Sequence, residues 1–97
     1  MKKEGHAWMA CYNAEADIYV AKVDFRGAMS GHGYYQITKE TYDKLTPEKE
    51  TESKNMIIDS TLLYKSLETS MGPVHTLKTD NWMELCKDLL PSNLYRI

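Results

Sequence analysis

The residues whose types could do chemistry are concentrated in the segment 26–36, which reads Arg-Gly-Ala-Met-Ser-Gly-His-Gly-Tyr-Tyr-Gln. It holds three of the five glycines in the chain, and glycine lets a backbone take positive φ or come close to a ligand. Arg26 could bind an anion with its forked donors, and a tyrosine could stack on a planar ring. The segment therefore predicts a recognition loop, with candidate binding residues Arg26, Ser30, His32, Tyr34 and Tyr35. A long hairpin connection with no binding role is the alternative.

The glycine spacing of this segment does not match a known phosphate-binding loop. Gly27, Gly31 and Gly33 follow neither the dinucleotide fingerprint nor the P-loop pattern. No helix is predicted to begin directly after them, so no helix N-terminus would face a phosphate. A small anionic, nucleotide-like ligand would have to be held by backbone amides and by the side chains of the loop itself.

Metal binding and nucleophilic catalysis have no supporting motif. The candidate metal ligands show neither CxxC nor HxxxH spacing, and they are His6, Cys11, His32, His75 and Cys86. Both cysteines fall in predicted regular elements, where a thiol usually behaves as a small hydrophobic group. No GxSxG or HExxH sequence occurs. We therefore predict a protein without a metal or cofactor that is not an enzyme.

Aromatic residues are the second candidate for a binding surface. The chain has seven tyrosines and two tryptophans, more than a sheet with one apolar face can bury. Tyrosine and tryptophan are enriched among the residues that dominate binding energy at interfaces. Trp8 and Tyr95 therefore join the candidate partner-binding residues. Part of this surface could instead be covered by a second copy, because twofold homodimers are the commonest closed oligomers.

Length and charge limit the class of protein. A length of 97 residues predicts one domain over 1–97. The formal charge of the chain is −2. Such a charge does not favour nucleic acid as a partner. No apolar run approaches the roughly 20 residues that span a bilayer, so we predict no membrane association. Two cysteines are too few for a disulfide framework and would stay reduced in the cytoplasm, where we expect the protein to act.

The N-terminal half has the residue pattern of a sheet. Strands are predicted at 7–12, 17–25 and 34–37, and the second of these alternates apolar and polar residues as a half-buried antiparallel strand does. The four residues 13–16 suit a hairpin loop.

The C-terminal half has the pattern of helices. Thr38 can cap a helix that ends near Leu45, and the polar segment 46–55 is predicted as an exposed loop. Leu63, Leu67 and Met71 repeat every four residues, which predicts a helix over 60–71 that ends at Gly72-Pro73. A last helix is predicted from Asn81 to Pro91. The fold class predicted is α+β, an N-terminal antiparallel sheet of about three strands with two to three helices packed on one face.

These observations favour a small non-catalytic binding protein that modulates or inhibits another protein. Single-domain proteins of phages and mobile elements are often of this kind, which is an analogy only. The alternative is a protein that binds or sequesters a small nucleotide-like ligand through the Gly-rich loop 26–36. A small hydrolase or nuclease is the second alternative, although no acid–base pair is visible for it.

Overall fold

Six strands form one antiparallel sheet in the order β1-β2-β3-β4-β5-β6 in the computed structural model, which describes residues 2–26 and 30–90. Their bounds are β1 Lys2–Glu4, β2 Trp8–Asn13, β3 Ile18–Phe25, β4 Ser30–Ile37, β5 Thr61–Thr69 and β6 Gly72–Leu77. Each strand pairs with the strand that follows it in the chain, as in a meander. The connection from β4 to β5 holds α1 (Lys39–Lys44), a 3-10 turn (Pro47–Lys49) and α2 (Glu50–Ile58). After β6 come α3 (Trp82–Leu85) and a second 3-10 turn (Lys87–Leu89).

The predicted fold class is wrong in its sheet and in the placing of its helices. The sheet has six strands that extend into the C-terminal half, in place of about three N-terminal ones, and short helices lie on both of its faces. The strands predicted at 7–12 and 17–25 are confirmed within a residue or so. The helix predicted from Thr38 is also confirmed, and the Thr38 side chain accepts a hydrogen bond from the Thr41 N–H.

The helix predicted over 60–71 is a β-hairpin. Leu63 is buried on one face of the sheet and Leu67 lies on the opposite face, while Met71 is 96 % exposed in the turn. The helix-like spacing of these three apolar residues is therefore accidental, because they lie on two different faces of a strand and in a turn. Gly72 has a φ of 106°, a value that glycine takes readily, so Gly72-Pro73 begins β6 and does not end a helix.

Each face of the sheet carries a buried core. The first, which we call the α1–α2 face, packs against the two helices of the long connection, and its buried residues are Trp8, Ala10, Ala21, Val23, Tyr35, Ile37, Tyr42, Leu45 and Ile57. The second, which we call the α3 face, is covered in part by the C-terminal segment, and its buried residues are Cys11, Val20, Tyr34, Leu63, Cys86, Leu89 and Leu90. Two layers on one sheet provide more core than a single covered face would.

The polar segment predicted as a loop over 46–55 is helical from Glu50 onward. Ser53 and Ile57, one turn apart, are both 0 % exposed and face the sheet. The Ser53 hydroxyl donates to the Thr46 carbonyl and accepts from the Thr46 N–H, both at 3.0 Å. A helix with so few buried positions has no apolar stripe for a sequence pattern to detect.

The last predicted helix is shorter than expected. α3 has four residues, and Asn81 makes no side-chain capping bond. Instead, the buried Asn13 side chain donates to the Leu85 carbonyl at 2.8 Å, which ties this segment to the end of β2. No helix within residues 2–26 and 30–90 is long and apolar enough to cross a membrane.

Candidate interaction surfaces

The predicted recognition loop 26–36 is mostly a strand. β4 begins at Ser30, so Ser30, His32, Tyr34 and Tyr35 lie in the sheet, and only Arg26 precedes the strand among the described residues of the segment. Arg26 and Ser30 are exposed, and His32 is half-buried on the α3 face. Tyr95 lies outside the residues that the structure describes.

Three of the aromatic candidates are core residues. Trp8, Tyr34 and Tyr35 are 2 %, 1 % and 2 % exposed. Trp8 and Tyr35 belong to the α1–α2 face, and Tyr34 belongs to the α3 face. The sheet buries more aromatic surface than expected because both of its faces are covered, and these three rings leave almost nothing for a partner to touch.

A row of polar residues crosses four strands on the α3 face. Asp24 pairs with His32, His32 with Ser66, and Ser66 with His75. Burial lowers the pKa of His32 and the nearby Lys22 ammonium lowers it further, while Asp24 partly opposes both. His32 is therefore neutral at pH 7. The described part of the chain contains no group of three His, Cys, Asp or Glu side chains placed to hold a metal ion.

An aromatic stack borders this row. The Tyr64 and Trp82 rings lie 4.1 Å apart at an angle of 5°, and His75 stacks on Tyr64 at 6.0 Å. The Tyr64 hydroxyl and His75 Nδ1 are joined by a 2.6 Å hydrogen bond. Sequence reasoning missed this group because it placed Tyr64 in a helix. The signal that could have found it is Gly72 as a turn residue between two runs that contain threonine, tyrosine and valine.

The outer strand β6 has unpaired backbone groups along its free edge. Thr69 pairs with Gly72 across a two-residue turn, so the N–H and C=O groups of alternate residues from Gly72 face β5. Those of Pro73, His75 and Leu77 face outward, and no described residue bonds to them. Pro73 lacks an N–H, so it occupies an outward position at no cost in hydrogen bonds.

Exposed apolar side chains lie along the same strand. Val74 is 50 % exposed and Leu77 is 55 % exposed, on opposite faces of β6. Met71, in the turn before β6, is also open to solvent, and Met83 of α3 is 45 % exposed. The opposite edge differs, because β1 has three residues and all are charged, a composition that discourages pairing with another strand.

Two clefts open at the ends of the sheet. One of about 320 Å³ is lined by Phe25, Arg26, Lys65 and Leu67. The other, of about 240 Å³, lies between the β2–β3 turn and α3 and is lined by Asn13, Glu15, Ala16, Asn81, Glu84 and Leu85. In the second cleft Glu15 is paired with Lys87. The first cleft contains one of the predicted site residues, Arg26.

Both cysteines are free and buried on the α3 face. Desolvation raises the pKa of Cys11 to about 11 and the pKa of Cys86 to about 12. At neutral pH both are therefore thiols and neither is a thiolate nucleophile.

The comparisons with known proteins identify no relative of this chain. No family model, no curated protein and no solved structure matches it.

Proposed function

We propose that the chain is a small binding protein that pairs the free edge of β6 with an extended segment of another protein, and so modulates or inhibits that protein. The observation that carries the proposal is the outward row of unpaired backbone groups at His75 and Leu77, flanked by exposed apolar side chains. Addition of a strand to an open sheet edge is a recurrent mode of peptide recognition, in which main-chain bonds give affinity and side-chain contacts give specificity.

The side chains around β6 define what the added strand would need. Val74 lies on the α1–α2 face, whereas Leu77 lies on the α3 face beside Tyr64, its partner in the register. An added strand would place alternate side chains on these two faces. A segment with apolar residues on both sides would therefore cover Val74 and Leu77 together.

The state of the cysteines supports a non-catalytic role in a reducing compartment. Cys11 and Cys86 are free, buried and protonated at neutral pH, which argues against a cysteine nucleophile. Free thiols are typical of cytoplasmic proteins, and we place the proposed interaction there.

A displayed library of extended peptides tests the proposal. Peptides that bind the wild-type chain should be retested on two variants of one residue. His75→Pro removes an outward N–H and obstructs a neighbouring strand, whereas His75→Ala removes the imidazole and keeps the N–H. We expect His75→Pro to weaken binding by about tenfold or more and His75→Ala to change it by a few-fold, since a lost hydrogen bond is worth about 1 kcal/mol and proline adds a steric barrier.

Amide hydrogen exchange provides the second measurement. The His75 and Leu77 amides should exchange rapidly in the free chain and slowly when a selected peptide is bound. Peptides that bind His75→Pro as tightly as wild type, with these amides unprotected, would refute pairing at β6. Protection of the same amides without peptide, together with concentration-dependent dimers that His75→Pro abolishes, would show that the occupant is a second copy of the chain.

A further inference from the structure

Two glycines on β4 lie beside the residues that line a cleft on the α1–α2 face of the sheet. Gly31 lies between Phe25 of β3 and Leu67 of β5 in the strand register. Gly33 lies in the next row on the same face, beside Lys65. A Cβ on Gly31 would lie 2.0 Å from the Ser66 carbonyl oxygen, and one on Gly33 would lie 2.8 Å from the Tyr35 ring, so the positions directly over both glycines are occupied. An open cleft of about 320 Å³ lies on the same face, with Phe25 and Leu67 as its apolar walls.

Two cationic side chains border this cleft. Arg26 and Lys65 line it, and neither forms an ion pair with any described residue. The Lys65 ammonium lies 5.6 Å from the centroid of the Phe25 ring. The acidic neighbours in the chain, Asp24 and Glu68, project from the opposite face because side chains alternate along a strand. The cleft is therefore a positive site on a chain whose formal charge is −2.

The Tyr35 side chain fills the space over Gly33 on this face of the sheet. Tyr35 is 2 % exposed, and its ring extends back along β4, so that a Cβ placed on Gly33 would lie 2.9 Å from the Tyr35 Oη.

We propose that this cleft binds a small aromatic anion, a flat ring bearing one phosphate or carboxylate group. The ring would lie between the Phe25 and Leu67 side chains, where apolar contact and ring stacking stabilise it. The anionic group would face Arg26 and Lys65, which supply a forked donor and a point charge. The volume lies at the lower end of the range for small-molecule sites, which fits a ligand the size of a nucleoside monophosphate.

This site is separate from the free edge of β6. The residues that line the cleft lie at and just after the end of β3 and in the second half of β5, whereas the proposed strand pairing uses the outward backbone groups of β6. Either proposal can fail while the other stands, because His75→Pro tests the edge and leaves Arg26 and Lys65 in place.

Calorimetric titration at low salt, with four probes, tests the proposed ligand class. AMP and 2-naphthoate are aromatic anions, adenosine is an aromatic compound without the charge, and inorganic phosphate is the charge without the ring. We expect at least one of the two aromatic anions to bind at least about tenfold more tightly than both adenosine and inorganic phosphate. Raising the salt concentration should weaken that binding, because charges near a surface are screened.

Matched variants test the residues. Arg26→Gln and Lys65→Gln should each weaken binding of the aromatic anion by about tenfold, while Lys49→Gln, which removes one exposed cation elsewhere, should leave it unchanged. Phe25→Leu should weaken binding several-fold and leave the dependence on salt intact. Melting temperatures of all four variants identify any that fail to fold. If Phe25→Leu does fail, Arg26→Gln and Lys65→Gln still test the site, because Arg26 is exposed and Lys65 is half-exposed.

The opposite results would overturn the proposal. It is wrong if neither aromatic anion binds at millimolar concentration, or if adenosine or phosphate binds as tightly as the aromatic anions do. It is also wrong if folded Arg26→Gln and Lys65→Gln bind them like wild type.

Discussion

Replacing Glu50 by glutamine should destabilise the fold far more than its surface position suggests. Glu50 is the first residue of α2, and its two carboxylate oxygens accept the backbone N–H groups of His6 and Ala7 at 2.8 and 2.9 Å. These two residues form the connection from β1 to β2. One side chain therefore holds the start of a helix against the start of the sheet. In Glu50→Gln, one of the two oxygens becomes an NH₂ group that cannot accept a bond.

The expected loss follows from one hydrogen bond to a charged acceptor. Such a bond contributes about 1.5–3 kcal/mol, and solvent screening at a half-exposed site reduces this, so we expect Glu50→Gln to cost about 1–2 kcal/mol at pH 7. For a domain of 60–100 residues, 1 kcal/mol corresponds to about 4–8 °C in the melting temperature. The melting temperature should therefore fall by roughly 5–15 °C.

The pH dependence gives the prediction a second signature. Desolvation raises the pKa of Glu50, but the hydrogen bonds from His6 and Ala7, with smaller contributions from Trp8 and Lys54, together outweigh it and lower the net pKa below 4.5. A carboxyl group with a lowered pKa stabilises the folded state above its unfolded pKa, and this contribution is lost as the pH falls through the folded value. The difference between wild type and Glu50→Gln should therefore be full at pH 7 and should shrink below pH 4.5.

Thermal unfolding of three proteins at several pH values provides the assay. Glu52→Gln is the matched control, because Glu52 is an exposed residue of the same helix turn that accepts no hydrogen bond from the described residues. We expect its melting temperature to stay within a few degrees of wild type, since exposed substitutions change stability by about 0.5 kcal/mol at most. Equal effects of the two substitutions at pH 7, or a Glu50→Gln effect that does not vary with pH, would refute the proposed role of Glu50.

Two further predictions concern close packing. Gly5→Ala should lower stability by about 1–3 kcal/mol in chemical denaturation, because a Cβ at Gly5 would lie 1.9 Å from Nε1 of the buried Trp8 ring. An unchanged denaturation midpoint would contradict this, because it would show that the ring moves aside freely. Burial raises the pKa of Cys11 from 9.0 to about 11 and that of Cys86 to about 12, so iodoacetamide at pH 8 should alkylate the folded chain at least about a hundredfold more slowly than the chain in urea. Similar rates in both states, followed by mass spectrometry, would contradict this.

Local patterns in the sequence identified the elements that depend on local interactions. The alternation over 17–25 predicted β3, and Thr38 predicted the start of α1, because both signals come from residues close in the chain. The hairpin of β5 and β6 has one such local signal, the turn residue Gly72, and the spacing of its apolar residues indicated a helix instead. Its apolar residues fall on two faces and in a turn, and the register shift opposite Tyr34 and Tyr35 breaks the period-two pattern near Leu63.

The candidate sites were only partly predictable for the same reason. Arg26 was identified because it stands beside the glycines in the sequence. Lys65 was not, because it reaches the same cleft only through the pairing of β4 with β5. The buried tyrosines were expected to be exposed because the sequence did not show that the C-terminal segment covers the second face of the sheet.

The long connection between β4 and β5 has a consequence for how both proposed surfaces form. The β5–β6 hairpin closes over a two-residue turn, but its pairing with β4 requires closure of the long loop formed by residues 38–60. Closing a longer loop costs more entropy, so we expect this hairpin to join the sheet late in folding and to leave it as one unit. It carries the free edge of β6 as well as Lys65 and Leu67 of the cleft. A single local unfolding event would therefore remove both surfaces at once.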